Sequence, residues 1–237
     1  MAPQALHDGV LITSGSALLE GDLHLPERAT GLVIFAHGSG SSRFSRRNRQ
    51  VAATLESAGF GTLLMDLLTP EEELVDNVTR QHRFDVELLG RRVVDAADWT
   101  QAQPPMRALP VAFFGASTGA AAALIAAAER PLVARAVISR GGRPDLAGSA
   151  LPKVKAPTLL IVGGDDEPVI GMNREAMRQM RAPVALEIIP GATHLFEEPG
   201  ALEQVSALAV AWCRRHLRDT SDEMLDGIAP GEIPTGP

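Results

Sequence analysis

Four short runs of almost unbroken apolar residues punctuate the chain: LVIFA (32–36), GTLLM (61–65), VAFFG (111–115) and TLLIV (158–162). A strand with one wet face alternates, whereas a strand covered on both faces does not, so these runs predict strands of a parallel sheet. Weaker runs, RAVIS (135–139) and VALEII (184–189), predict two more strands. Helical spacing appears between them. Val51, Ala52, Leu55 and Ala58 share one face of 46–58, and helices are predicted over 81–101, 118–130, 169–181 and 201–217. Strand and helix alternate, which implies an α/β fold with right-handed crossovers. The start differs: 9–13 and 17–25 read as two strands joined by Ser14-Gly15-Ser16, an antiparallel edge on the parallel sheet.

The fold class expected is therefore three-layer α/β, mostly parallel, in one domain over residues 1–218. Only residues 140–157 separate RAVIS from TLLIV, so no large lid is expected there. Residues 219–237 hold five acids, no base, three prolines and three glycines, and are expected to form a flexible tail.

Composition then narrows the chemistry. A net charge of −7 argues against a nucleic-acid partner, which needs a basic face. The opening MAPQALHDG has neither the basic nor the apolar region of a signal peptide, and no run is long enough to span a membrane. A lone cysteine, Cys213, excludes an internal disulfide framework and fits a reducing compartment. The expectation is a cytoplasmic protein acting on a small-molecule substrate. No pair of histidines or cysteines has ligand spacing, so no metal is expected.

The stretch FFGASTGAA (113–121) carries the chemistry. Ser117 stands between Gly115 and Gly119, directly after a predicted strand and before a predicted helix. That is the setting of a nucleophile in G-x-S-x-G, where a sharp turn lifts the hydroxyl and small residues let strand and helix approach. A serine needs a base, and the base needs an orienting acid. His194, in PGATHLFEEPG (190–200), lies on a loop after the last strand, at the same sheet edge. The acid is Asp166 or Asp165 in VGGDDEPV (162–169); Asp166 is favoured because the chain turns out of the strand there. The order Ser117, Asp166, His194 is that of α/β-hydrolases. Oxyanion donors are assigned to the N–H groups of Thr118 and of Ser39 in AHGSGSS (36–42), with Gly38 as the alternative. His37 is expected to stabilise that loop.

On these motifs the chain resembles the α/β-hydrolase superfamily, and within it the dienelactone hydrolase-like branch, over roughly residues 10–217. The resemblance implies an enzyme without a cofactor that cleaves esters, or related thioesters and lactones, through an acyl-enzyme. Dienelactone hydrolases proper use a cysteine nucleophile, whereas this chain has serine at 117. SRGGRPDLA (139–147) and SSRFSRRNRQVA (41–52) look like bacterial hydrolases found beside or fused to phosphoribosyltransferase domains, for which this chain has no room. Arg140, Arg143 and Asp66 are candidates for substrate binding, with a salt bridge to Asp145 or a solvated loop as the plainer reading for the arginines, and a turn for Asp66. The basic run 43–49 reads as a solvated face and Glu71–Glu73 as an exposed loop. Other readings are a silent scaffold of this fold that binds a protein, an amidase or peptidase using the same machinery, and a nucleotide-binding fold. The last fails because Arg43 stands where the third glycine of the fingerprint belongs.

Overall fold

The computed structural model describes residues 6–217. Eight strands form one sheet: β1 (Leu6–Ser14), β2 (Ala17–Leu25), β3 (Leu32–Ala36), β4 (Gly61–Met65), β5 (Val111–Ala116), β6 (Ala134–Arg140), β7 (Thr158–Gly163) and β8 (Val184–Ile189). Their order across the sheet is β1-β2-β4-β3-β5-β6-β7-β8. The hairpin β1–β2 pairs antiparallel with β4, and every pair from β4 to β8 is parallel. The predicted three-layer fold with an antiparallel N-terminal edge is the observed one. The expected tail 219–237 lies outside the described residues.

Unbroken apolar strands serve two cores. In β3, Leu32, Ile34 and Ala36 face one cluster, with Val93 and Leu124. Val33 and Phe35 face the other, with Val51, Leu55 and Val205. Helices α3 (Val86–Ala102), α4 (Gly119–Glu129) and α5 (Glu167–Gln179) cover the first face; α1 (Arg46–Ser57) and α6 (Ala201–His216) cover the second. The link from β6 to β7 is a ten-residue 3-10 segment, Pro144–Lys153, as short as expected. Among the described residues no helix is long and apolar enough to cross a membrane.

One expectation is corrected. Glu71–Glu73 do not lie in an exposed loop but in the first turn of a further helix, α2 (Pro70–Thr79). Thr69 caps it: its side chain accepts from the Glu72 amide, and the Glu72 carboxylate accepts from the Thr69 amide. Three acids beside the positive end of the helix dipole add to this. Glu72 also grips Arg92 of α3 with two hydrogen bonds of 2.6 Å, and the Arg92 guanidinium, 3% exposed, donates to the Leu67 carbonyl as well.

The hydrogen bonds from Arg92 hold the Glu72 carboxyl below its ordinary value of 4.5. The stability this pair contributes is fully present above about pH 4.5 and is lost as pH falls from there through the folded value. Urea unfolding across pH 3–6 is therefore expected to show a loss of stability below about pH 4.5 that is shallower in Arg92→Met.

Candidate functional site

The site begins with a backbone constraint. Ser117, between β5 and α4, has φ 51°, in the left-handed region that costs a side-chain-bearing residue about 1–2 kcal/mol. Two glycines make this turn sterically possible. A Cβ on Gly115 would lie 2.4 Å from Ala120 Cα, and one on Gly119 would lie 2.2 Å from the Ala36 carbonyl oxygen. Any larger residue would push α4 away from β3 and β5. The amide of Ser117 donates to the Arg140 carbonyl at 3.2 Å, and its carbonyl accepts from the amide of Arg143 at 3.0 Å. The turn is thus bonded to the end of β6. The Ser117 hydroxyl makes no hydrogen bond among the described residues.

His194 reaches this edge from the loop after β8. Its Nδ1 lies 2.7 Å from Asp166 Oδ2. Asp166 stands at the start of α5, yet its side chain does not cap that helix; it turns to the imidazole instead. The adjacent Asp165 is exposed and bonds to Ala192 through its amide. Of the two acids read from the sequence, Asp166 is the one bonded to His194. The Asp166 carboxylate accepts from Nδ1–H, so the neutral ring keeps Nε2 as its lone-pair nitrogen. The His194 loop is anchored by buried Phe196, by Thr193 Oγ1 donating to Glu198 at 2.6 Å, and by the contact between Gly163 and the Ala192 carbonyl. A Cβ on Gly141, next after β6, would come 3.0 Å from the His194 carbonyl oxygen and 3.6 Å from Nδ1. One β6 end therefore touches both the Ser117 turn and the His194 loop.

The loop after β3 closes the other side. A Cβ on Gly38 would meet Ser117 Cβ at 3.0 Å. His37 is buried and holds the loop from within: Nδ1 bonds the Gly38 carbonyl at 2.9 Å, and Nε2 accepts from the Leu67 amide at 3.0 Å. Burial keeps its pKa below the ordinary histidine value, so it stays neutral, as its loop-stabilising role requires. The Thr118 amide donates to no acceptor among the described residues. The Ser39 amide, by contrast, is already occupied: it donates to Thr118 Oγ1 at 3.0 Å. The two side-chain hydroxyls lie 2.9 Å apart, and Ser39 Oγ donates onward to the Arg83 carbonyl. The Gly38 amide, the alternative, has no such acceptor.

Beside this loop opens a cleft of about 450 Å³. Leu67, Leu68, Leu89 and Phe44 are its apolar lining, beside polar Ser39 and Arg83, and Glu73 and Asp76 of α2 form part of its wall. Asp76 is buried and accepts from the amides of His82 and Arg83 and from the Arg83 guanidinium at 2.5 Å. Burial, with Asp66 and Asp76 nearby, raises the pKa of Glu73 above its ordinary value. Glu73 was read from the sequence only as part of an exposed loop, and Asp76 was not singled out. The signal existed, since Thr69-Pro70-Glu71-Glu72 is a helix-start pattern.

The substrate-binding candidates part ways. Arg143 is engaged by Asp145 through two bonds of 2.8 and 2.9 Å, the plainer of its two readings. Asp66 accepts from the Arg43 amide at 2.7 Å and pairs with its guanidinium, so both belong to a network with Glu20 and Asp22. Arg43 is thus not part of a solvated face, as the basic run suggested; Arg49, half exposed, also pairs with Asp22 and lies with Arg43 against the exposed Phe44 ring. Arg140 alone is buried without a carboxylate partner among the described residues. Cys213 is buried in α6, where desolvation pushes its thiol up to about 12. Among the described residues no cluster of three or more metal-ligating side chains occurs.

Residues 19–218 match the dienelactone hydrolase family. A crystal structure of dienelactone hydrolase from Anabaena variabilis is 58% identical, covers 91% of this chain and 100% of its own, and superposes with a TM-score of 0.89. Est1E from Butyrivibrio proteoclasticus shares the fold at 18% identity, with a TM-score of 0.73 over 88% of this chain and 98% of its own. Two Mycobacterium tuberculosis proteins, whose names place them provisionally among the phosphoribosyl transferases, are 54% identical over 215 residues. That match takes in 91% of this chain but 48% of theirs, so the chain spans about half the length of those relatives. With its family match running almost the whole length of the sheet domain, the chain belongs to the dienelactone hydrolase family.

Proposed function

We propose that the protein is a serine hydrolase that cleaves a carboxylic ester, or a related thioester or lactone, through an acyl-enzyme. The observation that carries this reading is the strained Ser117 at the head of α4, on the same sheet edge as a histidine already bonded to a carboxylate. Ser117 Oγ attacks the acyl carbonyl while His194 Nε2 takes its proton. Asp166 holds the ring tautomer and stabilises the imidazolium, and His194 returns the proton to the leaving group. Water, activated by the same histidine, then attacks the acyl-enzyme and releases the acid.

The tetrahedral oxyanion is received by the Thr118 N–H, beside the positive end of α4. A second donor comes from the loop after β3. The Ser39 N–H serves there once the Thr118 hydroxyl turns aside to release it; the Gly38 N–H is the donor that needs no such turn. The cleft beside the loop, lined by both leucines and polar side chains, takes one side of the substrate. Esters suit this site better than amides because an alkoxide is the easier leaving group. The transferase name of the longer relatives is ascribed to the part of their length outside the match.

Labelling with a fluorophosphonate, read by mass spectrometry, is expected to give one adduct on Ser117 and none in Ser117→Ala. A folded wild type that stays unlabelled would favour the silent scaffold instead. Asp166→Asn is expected to lower kcat on a short-chain aryl ester by about 10⁴-fold, as loss of the orienting acid does in comparable enzymes. Asp165→Asn should stay within a few-fold of wild type. Equal losses in the two variants would break the assignment of roles.

A further inference from the structure

The cleft beside the β3 loop has two carboxylates on its α2 wall, and the fold treats them differently. Glu73 and Asp76 stand one helical turn apart, with Asn77 next to Asp76, so one face of α2 turns to the cleft. Asp76 is buried and fully engaged: it accepts from the amides of His82 and Arg83 and from the Arg83 guanidinium. Glu73 is half-buried, and its carboxylate has no hydrogen bond or ion pair among the described residues. The two arginines close enough to act on it are already committed. Arg43 is shared by Glu20, Asp22 and Asp66, and Arg83 is held by Asp76. Burial, then the like charges of Asp66 and Asp76, raises the Glu73 pKa above its ordinary value, as befits a carboxylate that lacks a cation.

The cleft connects Glu73 to the reacting centre. Gly38 and Ser39 also line it, and a Cβ on Gly38 would meet Ser117 Cβ at 3.0 Å. A substrate whose carbonyl sits at Ser117 therefore reaches into the cleft with one arm. Leu67, Leu68 and Leu89 can cover the methylenes of that arm. Among the described residues of the lining, the Glu73 carboxylate is the one charged group without a counter-charge. A cation placed against it gains a charge-assisted hydrogen bond and offsets the repulsion from Asp66 and Asp76. A second carboxylate placed there would add to that repulsion.

We propose that Glu73 determines the specificity of the cleft by binding a protonated amine carried on one arm of the ester substrate. The proposal rests on the ester-hydrolase reading and narrows it to basic esters.

The test uses two series, one for each arm of the ester. The first compares the butanoate of dimethylaminoethanol with that of isoamyl alcohol, in which CH replaces the protonated nitrogen, and with that of hydroxypropanoate, which ends in a carboxylate. The second compares the methyl ester of dimethylaminobutanoate with that of its carbon isostere and with the methyl half-ester of glutarate. In the series whose variable arm enters the cleft, the wild type is expected to favour the amine over the isostere at least tenfold in kcat/KM, and to use the carboxylate ester least. Glu73→Gln should lower the amine-to-isostere ratio at least tenfold. Glu73→Lys should turn the preference toward the carboxylate ester, a reversal that lost packing alone does not produce. No preference for the amine in either series, or a ratio that both variants leave unchanged, overturns the proposal. Thermal unfolding in isoamylamine, with isocaproate as its anionic counterpart, reads the wall without turnover. The amine alone should raise the wild-type midpoint, and it should leave that of Glu73→Gln unmoved. If no ester is cleaved and Ser117 takes no label, the hydrolase reading fails and the amine-dependent midpoint decides the wall. A shift that Glu73→Gln abolishes then supports the amine site, and no shift overturns it.

Discussion

Everything at the sheet's C-terminal edge depends on one steric condition: α4 must begin in contact with the strands. Gly119 lies against the carbonyls of Ala36 and His37, and Gly115 against the backbone of Ala120. The fully buried alanines 120–123 extend that contact along the helix. Only with both glycines in place does the chain turn through Ser117 in the left-handed region, and the packing of α4 holds the strain that the turn stores. The position of the hydroxyl is thus a property of the core and not of a loop.

Three neighbouring segments are then fitted to that turn by direct bonds. The end of β6 accepts its amide, the loop after β3 is fixed by a neutral buried histidine, and the His194 loop packs on Gly141. None of these relies on an exposed salt bridge, the kind of contact that adds little and weakens in salt. Two ionic contacts with a fully buried member, Glu72–Arg92 and Asp76–Arg83, lie one layer out, where they fix the wall of the cleft.

Much of the fold is legible in the sequence because burial on both faces leaves no polar alternation. LVIFA, VAFFG and TLLIV could scarcely be anything but central strands, and the spacing of Val51, Ala52 and Leu55 marks a helix lying on one core. The serine and histidine were legible from their position relative to those strands. Asp165 and Asp166 were harder, since one residue of rotation decides which carboxylate turns to the loop. Two features were hidden for a different reason. The acids of α2 look solvated until Arg92, twenty residues on, is seen to hold one of them, and Arg43 looks like part of a basic face until Asp66 and Glu20 close around it. Pairing between distant elements leaves no periodic trace. Nor does its absence: Arg140 stands out only when the side chains around it have been placed.

The wall of the cleft is carried by a single capped helix, held at its start by Glu72–Arg92 and near its end by Asp76–Arg83. Thr69, Glu72 and Arg92 secure the base of α2, whereas Leu74, Val75 and Val78 on its outer side, and Phe84 just beyond, are exposed and support nothing beneath them. Leu74, Val75 and Val78 belong to neither core, so the outer side of this wall can change in shape while the β5–α4 turn keeps its packing.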